Sequence, residues 1–410
     1  MEAHLLDWLN LLGRWLHLVV GIAWIGASFY FVWLDNHLLP LKEEKPGVSG
    51  ELWAVHGGGF YNARKYPLGP DVLPEPLHWF KWEAYTTWLS GFFLLCLVYY
   101  VGAEAYLIDR QVADLTRPAA ILIGLITLAG GWMVYDILCR SPLAAGERTL
   151  AAVLTIFVSA VAWGLCHAFS GRGAFIHFGA MLGTIMVANV FFVIMPGQRE
   201  LVKAREEGRA PDPAPALRAK QRSVHNTYFT LPVLFTMISN HYAGTYGATW
   251  NWAVLIAITV AGALIRVWFV SRHKEHVTGK ASPWSLVAGL VLLAGVAAVL
   301  APRTAPPSAA PAVSTTPSAA PTKPAGADFA RVQSVMAQRC ASCHAAAPTH
   351  PGFPAAPKGV MLDTPERLKA QLGTIRQQLA TRAMPIGNLT AMTDEERAEI
   401  IAWIDRGAPE

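Results

Sequence analysis

Two cysteines and a histidine near the end of the chain have the spacing of a haem attachment site. Residues 339–345 read RCASCHA, so Cys340, Cys343 and His344 form a Cys-x-x-Cys-His motif. In such motifs the two thiols bind haem covalently and the histidine ligates its iron. A zinc site would need a second ligand pair, which His350 alone does not supply, and a redox-active pair would need a βαβ pattern. We therefore expect one covalent haem c.

The second axial ligand of this haem is expected from a methionine. Met384 lies in the segment RAMPIGN, just before the last predicted helix. A thioether opposite the histidine raises the reduction potential of the iron, which suits an electron acceptor. Met361 and Met392 are the alternatives, since a methionine more often fills space in a core than binds metal. The last helix should begin with a capping box of Thr393 and Glu396. Together these features resemble the class I cytochromes c.

The rest of the chain has the composition of a membrane protein. Of 410 residues, 53% are hydrophobic and 15% charged, whereas soluble domains have about 25% charged residues. Eight apolar segments are long enough to span a bilayer, which takes roughly 20 residues each. They are residues 12–34, 82–101, 119–138, 149–169, 174–196, 226–243, 250–270 and 284–301. We predict an all-α fold, with an eight-helix transmembrane bundle followed by a small α-helical cytochrome c domain.

The basic residues predict how this bundle is oriented. Most Lys and Arg residues of the membrane half follow the first, third, fifth and seventh segments, which predicts that these loops are cytoplasmic. Both termini would then face outward, and the net charge of +5 gives no reason to expect a nucleic-acid partner. The predicted domains are a membrane domain at 1–301, a linker rich in Pro, Ala, Ser and Thr at 302–327 and a cytochrome c domain at 328–410.

Histidines inside apolar helices are functional candidates by default. His17 lies between Gly13 and Gly21 at helical spacing, and His177 has similarly small neighbours, which leaves room for a flat macrocycle. Both helices start outside, so these histidines and His241 would gather near the outer face. We expect them to ligate a haem b in the membrane half. Close helix packing around hydrogen-bonded histidines is the open alternative.

A long loop that is predicted to be cytoplasmic, residues 35–81, carries a second group of side chains that could bind a ligand or transfer a proton. Three consecutive glycines at 57–59 follow His56, and the cations Arg64 and Lys65 come next, among aromatic residues. Glycines allow a ligand to approach the backbone closely, so this mixture suits a planar anion. The alternative is a segment anchored in lipid headgroups by its aromatic and basic side chains.

Three segments of the membrane half carry a family resemblance. They read GIAWIGASFYFVWLDNHL at 21–38, HGGGFYNARKYPLGPDVLPEPLHWFKWEAYTTWLSG at 56–91 and HNTYFTLPVLFTMISNHY at 225–242. With the c-type tail, they resemble the cytochrome-c-linked membrane urate oxidases (urate hydroxylases) of bacterial purine degradation. The resemblance covers essentially the whole chain. It implies oxidation of urate to 5-hydroxyisourate in the bacterial inner membrane, with periplasmic termini and with electrons leaving through cytochrome c instead of forming hydrogen peroxide.

The resemblance assigns no urate ligands, so these are inferred from the residues. His56 is the expected general base, because a neutral imidazole takes up a proton near pH 7. Arg64 or Lys65 would hold the anion, and His225 is the alternative base. A terminal oxidase or a soluble cytochrome is the expected downstream acceptor. Two other functions stay open: a different membrane dehydrogenase that reduces the same cytochrome, and a non-enzymatic module that handles haem or copper.

Overall fold

The protein is built mostly of helices. The computed structural model describes residues 2–43, 45–272, 282–301, 329–350, 353 and 356–409, so the predicted linker at 302–327 lies outside the described residues. The helices of the membrane half are α1 (Glu2–His37), α2 (Trp82–Leu95), α3 (Ala103–Tyr106), α4 (Arg117–Arg140), α5 (Glu147–Cys166), α6 (Gly171–Asn189), α7 (Met195–Glu206), α8 (Pro213–Ser239), α9 (Ala243–Tyr246), α10 (Asn251–Arg272) and α11 (Trp284–Val299). Single π-helical turns, Cys96–Tyr100 and Val190–Ile194, follow α2 and α6.

Helices occupy all eight predicted membrane segments. Not every one of these helices is long and apolar enough to cross a bilayer. Within the described residues, five helical stretches are long and apolar enough to cross a bilayer: His4–His37, Arg117–Arg140, Glu147–Cys166, Gly171–Glu206 and Asn251–Arg272. Helix α11 is apolar but shorter, and α2 and α8 fall short of the same requirements. The count of eight spans therefore stays a prediction.

Helix α6 lies at the centre of the membrane half. It packs against α2, α4, α5 and α8, and its side chains Phe175, Phe178, Leu182 and Ile185 are all fully buried. A helix that is apolar on every face is stable only when other helices surround it. This central position brings His177, near one end of α6, and Asn189, at the other end, into the interior.

The long loop contains a β-hairpin, which corrects the all-α prediction. Strands β1 (Gly50–His56) and β2 (Gly59–Lys65) pair antiparallel, with His56 opposite Gly59. Gly57 and Gly58 form the turn, and both have positive φ, at 58° and 82°. Two-residue hairpin turns require this backbone conformation, which glycine adopts at little cost. The glycine triplet therefore makes a tight turn, where the sequence had suggested close approach of a ligand.

The tail forms a small helical domain with its own core. Its helices are α12 (Phe329–Arg339), α13 (Pro365–Lys369), α14 (Leu372–Ala380) and α15 (Asp394–Asp405). Val332 and Met336 of α12 pack with the fully buried Trp403 of α15. The predicted capping box is confirmed, because Thr393 accepts from the Glu396 amide and Glu396 accepts from the Thr393 amide. This core holds the segment after α12 against the last helix.

Candidate functional site

The Cys-x-x-Cys-His motif forms a compact turn directly after α12. The amide of Cys340 donates to the Met336 carbonyl and the amide of His344 donates to the Cys340 carbonyl, both at 2.9 Å. The imidazole Nδ1 of His344 lies 2.9 Å from the Val360 carbonyl oxygen. A carbonyl only accepts, so Nδ1 carries the proton and Nε2 keeps the lone pair that an iron ligand needs. These residues fit a covalent haem c.

Burial keeps the two motif thiols neutral in the folded tail. It raises the pKa of Cys340 to about 12, and it raises the pKa of Cys343 as well. Reactive dithiols have lowered pKa values instead. The folded environment is therefore not that of a reactive dithiol.

The predicted methionine ligands occupy different places in the tail. Met384 lies half-buried in the loop between α14 and α15, where Arg397 donates a hydrogen bond to its carbonyl. Met392 is fully buried in the core, and its own carbonyl accepts hydrogen bonds. Met361 directly follows Val360, the residue whose carbonyl fixes His344. Met361 thus lies on the histidine side of the motif, whereas Met384 comes from a separate loop.

A cavity of about 470 Å³ opens between α1, α2, α6 and α8. Its walls are mostly apolar, and the glycines Gly21 and Gly183 leave open space in it. Both His17 and His241 line it, and so does Arg14. Two of the three predicted haem b ligands therefore reach one cavity, whose lining matches the apolar pockets that hold cofactors.

The ring of His17 is held in one orientation. Its Nδ1 lies 3.1 Å from the Thr87 carbonyl oxygen and 3.0 Å from the Ser90 hydroxyl. The ring also lies against Gly91, where a Cβ atom would come within 2.9 Å of Cε1. Since Nδ1 donates to a carbonyl, Nε2 keeps its lone pair. This is the arrangement that metal-ligating histidines use.

His177 is hydrogen-bonded through Nδ1 like His17, but its ring faces α4 and not the cavity. It is fully buried, and its Nδ1 donates to the Gly173 carbonyl at 2.9 Å. Its Nε2 has no hydrogen-bond partner among the described residues, and a Cβ on Gly124 would lie 2.9 Å from it. Helix α4 therefore fills the space in front of the ring. The structure does not bring His177 to the cavity that His17 and His241 line.

The C-terminal parts of α4 and α6 and the first half of α8 hold a largely buried polar cluster. The Nδ1 of His225 lies 2.8 Å from the Tyr135 hydroxyl, which also accepts from Asn189 at 3.1 Å. Asn189 donates further to Asn226 at 2.9 Å. Arg222 donates to Asp136 at 2.8 Å. Together with Asp136, these residues form what we call the inner cluster: Tyr135, Asp136, Asn189, Arg222, His225 and Asn226.

The other predicted catalytic residues lie on the hairpin, apart from this cluster. His56 is exposed at the turn. Arg64 is paired with Glu51 at 3.1 Å and Lys65 with Asp35 at 2.5 Å. Hydrogen bonds from Asn62 and then from Arg64 lower the pKa of the Glu51 carboxyl. Both cations thus already have anionic partners, and the structure brings only His225 into a buried polar environment.

The tail contacts the membrane half near the short helices α3 and α9, through the segment that contains Met384. Gln111 donates to the Met392 carbonyl at 3.0 Å. A Cβ on Gly387 would lie 2.6 Å from the Ala105 carbonyl oxygen, and one on Gly247 would lie 2.0 Å from the Thr381 carbonyl oxygen. The two parts therefore meet backbone to backbone, next to α3 and α9.

Of the inner cluster, sequence reasoning identified only His225, and Asn189 and Arg222 are the most important residues that it missed. Asn189 is a polar residue within the apolar run TIMVANVFFVI, and such residues are functional candidates when they lie inside a membrane helix. Arg222 was counted only as one basic residue of a cytoplasmic loop. The helical pattern of α8, which starts at Pro213, would have assigned Arg222 to the same face as His225 and Asn226.

The comparisons with known proteins agree with this architecture. Residues 3–301 match the family described as urate oxidase N-terminal, and residues 327–404 match cytochrome c oxidase, cbb3-type, subunit III. No curated protein and no solved structure matches the chain. The membrane helices, the inner cluster and the cavity all fall within the first match, and the haem motif falls within the second. The chain therefore belongs to the urate oxidase N-terminal family and carries a cytochrome c domain at its end.

Proposed function

We propose that the protein oxidises urate to 5-hydroxyisourate and passes the electrons to its own haem c. In this reaction urate and one water give 5-hydroxyisourate, two protons and two electrons. The observation that carries the proposal is the family match over residues 3–301 on a chain that also holds a cytochrome c domain. When bound, the haem iron accepts one electron at a time, so oxygen need not be reduced to hydrogen peroxide.

Anaerobic reduction by urate tests this function. Urate added to the oxidised, purified protein should produce the absorption band of reduced haem c, and each urate should reduce two haem groups. Xanthine, which lacks the 8-oxo group, should leave the haem oxidised. A protein that a quinol reduces and urate does not would instead be a different membrane dehydrogenase. Haem that neither compound reduces would favour the non-enzymatic module.

The geometry supports His225 over the hairpin residues as the proton acceptor. His225 lies beside a tyrosine hydroxyl in a polar cluster, whereas Arg64 and Lys65 are engaged in ion pairs and His56 is exposed at a turn. A general base must reach the proton that it removes, so convergent polar groups matter more than exposure. His56, Arg64 and Lys65 remain the alternative site.

The cavity between α1, α2, α6 and α8 is our proposed site of a haem b. His17 and His241 are the preferred ligands because both line it, and His177 is the alternative. Arg14 at the same cavity, with Arg172 close to Tyr99 and Asn240, supplies the positive charge that haem propionates require. A haem here would lie between the inner cluster and the tail.

Haem analysis of variants tests this second cofactor. Extracted haem b should accompany covalent haem c in the full chain, and His17→Ala should lose the haem b while keeping haem c. The matched control is His167→Ala, because His167 is exposed and bonds only within its own helix, to Trp163. A wild-type protein without extractable haem b would contradict the proposal.

Met384 is our proposed axial ligand opposite His344. Met384→Ala should lower the reduction potential of haem c and leave the haem covalently attached, because the thioether bonds are unaffected. Redox titration of the full chain measures this. If the potential stays unchanged in this variant but falls in Met361→Ala or Met392→Ala, the ligand assignment is wrong.

The proposed location is the bacterial inner membrane, with both termini and the tail in the periplasm. The basic loops support this orientation. Electrons would then leave to a periplasmic acceptor, such as a soluble cytochrome or a terminal oxidase. Urate would come from the cytoplasm, on the side of the inner cluster.

A further inference from the structure

The inner cluster has more hydrogen-bonding atoms than partners. Arg222 is 2% exposed and Asn189 is 0% exposed. Among the described residues, Nε and Nη1 of Arg222 and Oδ1 of Asn189 have no partner. A buried polar atom without a partner destabilises the fold. Such atoms therefore indicate a ligand or water that accepts from the arginine and donates to the asparagine.

The charge of the cluster favours an anion. Asp136 binds Arg222 through one carboxylate oxygen, at 2.8 Å, and Arg140 through the other, at 2.6 Å. One carboxylate thus binds two guanidinium groups, of which Arg140 is largely exposed to solvent and Arg222 is buried. The buried guanidinium still has two N–H groups without a partner, and charged N–H donors bind most strongly to acceptors that carry negative charge.

The surroundings also hold the unpaired donors in place and leave a way to them. The guanidinium of Arg222 lies 4.9 Å from the centre of the Tyr135 ring, so this ring packs against the group that carries the donors. His225 and Asn226 are only half-buried, which leaves an approach to the cluster. Asn189 directly precedes the π-helical turn Val190–Ile194, and such turns often occur at functional sites.

We infer that Arg222 and Asn189 bind the oxopurine anion that the proposed function requires as substrate. Nε and Nη1 of Arg222, the two free donors, point to different sides of the guanidinium, so one of them donates to an acceptor on the anionic edge. The carbonyl oxygen of Asn189 matches a ring N–H group. His225 and Tyr135 lie next to this edge, so one cluster binds the anion and accepts its proton. This inference rests on the proposed function and names its substrate site.

Binding of radiolabelled urate to the full chain tests the inference. Haem groups reduced beforehand with dithionite prevent turnover, so binding is measured alone. Arg222→Gln and Asn189→Leu should each weaken urate binding by about 10- to 100-fold, the usual effect of losing a hydrogen bond to a charged group. The control is Arg266→Gln, because Arg266 is also buried with an unpartnered Nε but lies on α10 over Phe29.

A panel of N-methylated urates separates recognition from a structural effect. The wild type should reject the isomer that is methylated on the nitrogen facing Asn189, and Asn189→Leu should lose this discrimination. This readout stands even if Arg222→Gln does not fold. Wild-type protein that binds no urate would contradict the proposed function itself. Wild-type binding that Asn189→Leu leaves unchanged, with discrimination intact, would overturn only this site.

Discussion

Alanine in place of His225 is expected to lower the turnover of urate by about 10²- to 10⁴-fold, the usual contribution of a general base. Urate binding should change far less, because Arg222 and Asn189 hold the anion. The imidazole lies 2.8 Å from the Tyr135 hydroxyl, so its loss also removes a hydrogen-bond partner of that tyrosine. Steady-state kinetics should show a fall in kcat with little change in KM.

The rival site on the hairpin gives the matched comparison. His56→Ala should leave turnover close to that of the wild type, because His56 lies at an exposed turn. Added imidazole should restore part of the activity of His225→Ala. The opposite pattern, a large loss in His56→Ala and near-normal turnover in His225→Ala, would move the catalytic site to the hairpin.

Leucine in place of Gly247 is expected to slow the reduction of haem c by urate at least about tenfold. A Cβ at this position would lie 2.0 Å from the Thr381 carbonyl oxygen, so a larger side chain must push the tail away from the membrane half. Electron transfer slows as the distance between the redox groups increases, so a displaced tail should be reduced more slowly. Stopped-flow absorption of the c-type band measures this step.

Gly244 supplies the control for this experiment. It lies on the short helix α9, which Gly247 directly follows, but a Cβ there would meet nothing within 4 Å. Gly244→Leu should therefore keep the wild-type rate. Dithionite should reduce haem c in both variants, which shows that the tail is intact. Equal urate-driven rates in the two variants would mean that this contact does not position the tail for electron transfer.

The sequence predicted the haem motif and the helical segments because both depend on local patterns. Cys340, Cys343 and His344 are close in the chain, and the apolar runs have the length that a bilayer demands. The hairpin was missed because its glycines suit ligand approach as well as a tight turn. Apolar and polar residues alternate only weakly along 50–65, so the two-residue glycine turn is the main signal for a hairpin there.

The membrane sites depend on helix rotation and packing, which one sequence does not determine. His17 and His177 have similar neighbours, yet α2 borders the first ring and α4 the second. Asn189 and Arg222 lie on different helices, α6 and α8, and both contact Tyr135 because these helices pack together. Their unpaired atoms become visible only when the partners of every buried group are known.

The central claim is that urate is oxidised at the cytoplasmic end of the bundle and that electrons leave at the periplasmic tail. Sidedness in membrane vesicles tests this most directly. In inside-out vesicles, which expose the cytoplasmic face, added urate should reduce haem c at once. Right-side-out vesicles should respond only if urate is transported. Immediate reduction in right-side-out vesicles alone, with transport excluded, would contradict the account and move the substrate site to the outer cavity beside His17 and His241.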